Sequence, residues 1–96
     1  MTIELDNVTR NGKGLLRLSD IYAALKPGDK KMPHRFMITQ QARDLIAELA
    51  REGKKKEFIV NATKSDIWGC DEFATAYIAW CEPAFMLMMM RNIYGE

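Results

Sequence analysis

The stretch Thr39-Gln40-Gln41-Ala42-Arg43-Asp44-Leu45-Ile46-Ala47-Glu48-Leu49-Ala50-Arg51-Glu52-Gly53 is the most strongly patterned part of the chain. Ala42, Leu45, Ile46 and Leu49 recur at i, i+3, i+4 and i+7, the stripe that one face of a helix turns toward a core. Thr39 is a residue type that caps the first free amides, and Gly53 suits the left-handed position just past a helix end. The pattern predicts a helix over residues 40–52, with Gln40, Gln41 and Arg43 on its first turn.

Cations gather on both sides of it. Upstream, residues 26–36 combine two prolines and a glycine with Lys30, Lys31, His34 and Arg35, and show no apolar period, so a cationic loop is expected. Downstream, Lys54, Lys55 and Lys56 lead into Glu57-Phe58-Ile59-Val60-Asn61-Ala62-Thr63, whose β-branched and aromatic content favours a strand. A turn at Lys64-Ser65 then predicts a partner strand near Asp66-Ile67-Trp68.

Toward the N-terminus, the partial alternation of residues 2–8 followed by Asn11-Gly12 predicts a hairpin over residues 2–17 with a type I′ turn. Ser19 stands where a cap belongs, and Leu18, Ile21 and Leu25 predict a short helix over residues 20–26, stopped by Pro27-Gly28. Toward the C-terminus, Phe73, Ala76, Tyr77 and Trp80 share a helical face, with Asp71-Glu72 as favourable charge on its first turn. Pro83 suits the start of a last helix, residues 84–94, which is apolar nearly all round and holds Met86, Met88, Met89 and Met90. Such a helix should be covered on both sides. Methionines there are more often core than partner site, though they also serve at adaptable partner surfaces. The expected architecture is one α+β domain, residues 1–96, in which an N-terminal hairpin and a short strand pair pack with about four helices.

Composition narrows the function. The 96 residues carry 14 Lys and Arg against 13 Asp and Glu, a net of +1, which argues against a polybasic nucleic-acid binder. The charge is polarised along the chain, however. Residues 1–67 hold 13 basic and 9 acidic side chains, a net of +4, whereas residues 68–96 hold one and four, a net of −3. The longest apolar run, 84–90, is far short of the roughly 20 residues of a membrane span, and residues 1–10 lack a signal-peptide core, so no membrane partner and a cytoplasmic location are expected. Cys70 and Cys81, 11 residues apart on one helix, would be about 16 Å apart, too far for a disulfide, and read as reduced thiols.

Enzymatic chemistry finds little footing. His34 is the lone histidine, without partners for a triad or a metal site, and its roles reduce to phosphate contact or solvation. The glycines lack a phosphate-cradling context. Neither cofactor nor metal is expected. What remains is the basic set Lys30, Lys31, His34, Arg35, Gln40, Gln41, Arg43, Lys54, Lys55, Lys56 and Lys64. Gln and Arg reach adenine and guanine edges, and the start of a recognition helix is where such contacts fall. Lysines after a helix also complement its dipole, and glutamines on a first turn are ordinary helix surface.

The order of elements and several motifs resemble the KilA-N domain of phages and DNA viruses, which is similar in turn to the fungal APSES DNA-binding domains. The resemblance runs from about Leu15 to Tyr94. Trp68, Ala79, Trp80, Pro83 and Phe85 look like family positions, as do the segments Leu18-Ser19-Asp20-Ile21-Tyr22-Ala23-Ala24-Leu25 and Thr39 to Leu49. Cys70-Asp71 replaces the family's His-Pro, and Lys64-Ser65-Asp66 its glycine-rich turn. The resemblance implies a winged-helix-like core, with helix 40–52 as recognition helix and residues 54–66 as wing. It implies a duplex-DNA-binding regulator of phage or prophage, of the antirepressor kind, often fused to a second domain. The rival expectation is a small phage inhibitor of a host repressor or defence nucleoprotein complex, or a homodimer, using helix 84–94 or the basic face.

Overall fold

The computed structural model describes residues 8–93 as an α+β domain of five helices and a three-stranded antiparallel sheet. In chain order the elements are β1 (Leu16–Arg17), α1 (Leu18–Leu25), a 3-10 turn (Asp29–Lys31), α2 (Pro33–Met37), α3 (Gln40–Arg51), a second 3-10 turn (Lys56–Phe58), β2 (Val60–Ala62), β3 (Ile67–Gly69), α4 (Asp71–Cys81) and α5 (Pro83–Ile93). β3 is the middle strand, pairing Gly69 with Leu16 on one side and Val60 on the other.

α3 forms as its local signals require. Thr39 Oγ1 accepts from the Ala42 N–H at 3.2 Å, Ala42 and Leu49 are buried, and Gly53 closes the helix at φ 100°. α4 buries Phe73, Ala74, Tyr77 and Ile78 against α1 and α3, with Asp71 and Glu72 on its first turn. Its N-cap is Cys70, whose side chain makes no capping bond.

Several expectations need correction. The chain does double back, with an Arg10–Leu16 bridge, but Asn11-Gly12 makes no type I′ turn, because the residue there with positive φ is Gly14, at 79°. The Asn11 side chain instead accepts from the N–H groups of Lys13 and Leu15, at 2.9 and 3.0 Å, and organises a longer loop. The first strand of the expected hairpin, residues 2–7, lies outside the described residues. What residues 8–17 add is a strand on the same sheet as the strand pair.

Ser19 is not a cap: α1 starts one residue earlier, at Leu18, and the Ser19 hydroxyl donates to Asp66 at 2.7 Å. Residues 26–36 are not a bare loop. Pro33 opens α2 as its first helical residue, which brings the helix count to five rather than four. Phe36 of α2 is buried, its ring centroid 5.2 Å from Phe73, 5.6 Å from Tyr77 and 5.4 Å from Trp80. The strand expected over residues 57–63 is regular only from Val60, because Lys56–Phe58 turns first. α5 starts at Pro83 and is not covered on both sides: Phe85 packs on the core, whereas Met86, Leu87, Met88 and Met90 are exposed. Tyr94 and the side chain of Met89 lie outside what the structure describes. No described helix is long and apolar enough to cross a membrane.

Candidate nucleic-acid interface

α2 and α3 are joined by two residues, Ile38 and Thr39, and this corner presents most of the upstream cations. Thr39 holds it: its N–H and its hydroxyl both donate to the Phe36 carbonyl, at 3.0 and 2.7 Å, while its Oγ1 accepts from Ala42. Since Phe36 is anchored in the aromatic cluster, the corner is fixed to the core from beneath. His34 and Arg35 on α2, and Gln40, Gln41 and Arg43 on the first turn of α3, face solvent. Lys30 is exposed on the preceding 3-10 turn. Gln40 is partly engaged, donating to Asp44 at 2.8 Å.

Lys31 belongs elsewhere. Its ammonium sits 4.2 Å from the Trp80 ring centroid and donates to the Trp80 carbonyl at 3.1 Å, while its own carbonyl accepts from Tyr77 Oη at 2.7 Å. Lys31 therefore ties the 3-10 turn to the end of α4. Burial pushes the Tyr77 phenol well above its ordinary range, so it stays a donor.

The downstream lysines stand at the other end of α3, about 18 Å away at 1.5 Å per residue over its 12 residues. Lys54 is half-buried and paired with Glu72 at 3.3 Å, whereas Lys55 and Lys56 are exposed. Two cations not anticipated from the sequence join them, Arg10 and Lys13 of the first loop. With Phe58, Cys70, Asp71 and Glu72 they line a cleft of about 540 Å³. Three of its four cations are paired, Arg10 with Asp71 at 2.9 Å, Lys54 with Glu72, and Lys13 with Glu57 outside the lining at 3.9 Å, and Lys55 is the fourth. The Glu72 carboxylate is held below its usual range by its own N–H and by Lys54. Burial raises the Cys70 thiol, so it offers no ready thiolate. Only spatial pairing reveals Arg10 and Lys13, because in sequence they sit in an ordinary turn.

Lys64 is exposed on the turn between β2 and β3. That turn is firmly built. Thr63 and Asp66 exchange three bonds of 2.7 to 3.0 Å, and Asp66 accepts Arg17 Nε and Nη2, both at 3.1 Å, as well as Ser19. Those bonds, led by Arg17, hold the Asp66 carboxyl below its ordinary value. Asp20 is lowered likewise, chiefly by the Thr9 N–H at 2.9 Å.

The expected sites thus divide into the α2–α3 corner (His34, Arg35, Gln40, Gln41, Arg43), the 3-10 turn before α2 (Lys30), the far end of α3 (Lys54, Lys55, Lys56) and the strand turn (Lys64), with Lys31 withdrawn into structure. Among the described residues no group of three or more His, Cys, Asp or Glu is placed to hold a metal ion. Comparison of the chain with protein-family models, with curated proteins and with solved structures found no match in any of the three.

Proposed function

We propose that the chain is a KilA-N-like, winged-helix-type module that binds duplex DNA, a regulator of the phage or prophage antirepressor kind. In this reading the first turn of α3 enters the major groove, where Gln41 and Arg43 meet base edges. Lys30, His34, Arg35, Lys55 and Lys56 meet phosphates, and the β2–β3 turn with Lys64 acts as the wing. One observation supports it above the others: two helices joined by a core-anchored, two-residue corner expose a glutamine and an arginine on the first turn of the second, with Arg35 exposed on the first.

Lys30, Arg35, Arg43, Lys55, Lys56 and Lys64 make no ion pair within the described residues. If the five other than Arg43, which meets a base edge, each neutralise one phosphate, log K falls with log salt at a slope of about −4.5. Anisotropy titration of a duplex two helical turns long, at several salt concentrations, tests this. An Arg35→Ala/Lys55→Ala double variant should flatten the slope by about two. Binding undetectable at low salt overturns the reading.

A second reading, capture of a host protein or of a second copy through α5, is favoured by the exposed row Met86, Leu87, Met88 and Met90, with Met88 at 51% exposure. Light scattering on wild type and a Leu87→Lys/Met88→Lys variant separates the two readings. A dimer lost in the variant, with DNA affinity intact, selects α5.

A further inference from the structure

Ile38 is the most exposed large apolar side chain among the described residues, at 70%. It occupies the centre of the α2–α3 corner, one residue before the Thr39 cap. An apolar residue at that position ordinarily packs on the fourth residue of the helix, closing a hydrophobic staple. Here the fourth residue is Arg43, itself exposed, so folding makes no use of the isoleucine surface. The corner does not let it turn inward either: Phe36 on one side is locked in the aromatic cluster, and Thr39 on the other is bonded to both Phe36 and Ala42. Ile38 is therefore held outward on the corner, between Arg35 and Arg43 in sequence, on the surface assigned above to DNA.

We infer that Ile38 is a base-reading residue that packs on a thymine C5-methyl group in the major groove. The inference rests on the duplex-binding reading. An aliphatic side chain has no donor or acceptor to offer a base edge, and the thymine methyl is the one apolar mark in the major-groove pattern. Arg35 draws a phosphate and brings the methyl-bearing edge to Ile38 without competing for it. Gln41 and Arg43 then read neighbouring base pairs by hydrogen bonds, so the corner joins an apolar and a polar readout.

The test starts by enriching duplexes from a random library with the wild-type protein. Each thymine of the enriched site is then replaced in turn by uracil, which removes only the methyl, and affinities are measured for wild type, Ile38→Val and Ile38→Ala. One replacement should weaken the wild type about fourfold, the factor for burying a single methyl group. The same replacement should weaken Ile38→Val less and leave Ile38→Ala unchanged, while the salt slope stays constant in all three. Equal uracil sensitivity in wild type and Ile38→Ala, or an enriched site without a sensitive thymine, overturns the role of Ile38 and leaves DNA binding standing. Failure of the wild type to bind any duplex at low salt overturns DNA binding, and the Ile38 contact with it.

Discussion

A Cβ added to Gly69 would lie 2.6 Å from Phe73 Cδ2 and 3.3 Å from Leu18 Cδ1. The glycine is there because the middle strand passes directly over the ring that opens the core of α4. Gly69→Ala forces Phe73 to shift, and we expect a loss of about 1–3 kcal/mol, the usual range for overpacking, read by urea denaturation. Lys31 makes the complementary case, a cation whose role is structural. Lys31→Met should lower the melting temperature by removing the Trp80 contacts, yet change DNA affinity less than Lys30→Met, since Lys30 is the exposed neighbour. The reverse ranking in anisotropy would place Lys31 at the interface. Adjacent in sequence and alike in chemistry, the two lysines differ because Trp80 lies 49 residues from one of them, a relation that no local pattern encodes.

Among the elements, α3 is the one whose sequence tells nearly everything. Its cap, its stripe and its stop are all local, and the helix ends within one residue of expectation. α2 is the opposite case. Five residues are too few to display a 3.6-residue period, so Pro33 reads as a breaker when it is in fact the first residue of a helix. The β2–β3 turn is visible in outline, but its anchor is not, because Asp66 bonds to residues 47 and 49 positions away. That anchor has a pH signature. Asp66 and Asp20 are depressed in the folded chain, so the stability they add is present above the ordinary aspartate range near pH 4 and lost as pH falls through their lower folded values. Melting temperature followed from pH 6 to pH 2 should therefore drop less steeply for Asp66→Asn than for wild type. On α3 itself, Asp44 and Glu48 balance Arg43 and Arg51, leaving the helix without net charge. Asp44→Asn should then raise affinity for nonspecific duplex by roughly two- to threefold at low salt and by less at high salt, measured by anisotropy.

At the scale of the whole molecule, the +4 and −3 halves of the chain do not become two separate faces. Asp71 and Glu72 of the acidic half are spent on Arg10 and Lys54 of the basic half, so much of the sequence polarity is neutralised where α4 meets the first loop and the end of α3. Among the described residues, the cations outside every ion pair lie at the α2–α3 corner, on the 3-10 turn before it, at Lys55-Lys56 and at Lys64, with Lys26 and Arg91 besides. The described residues span 35 × 29 × 25 Å.

The strand order β1-β3-β2 sets a schedule for biosynthesis. Leu16 and Arg17 are made about fifty residues before Trp68 and Gly69, with which they pair, so β1 has no partner until synthesis has passed residue 69. Phe36 likewise waits for Phe73, Tyr77 and Trp80. α3, whose cap, stripe and stop are all local, is able to organise before those contacts form. A fragment ending at Ser65 should show weak helicity and no cooperative melt by circular dichroism, whereas the full chain unfolds in a single transition once the middle strand is in place.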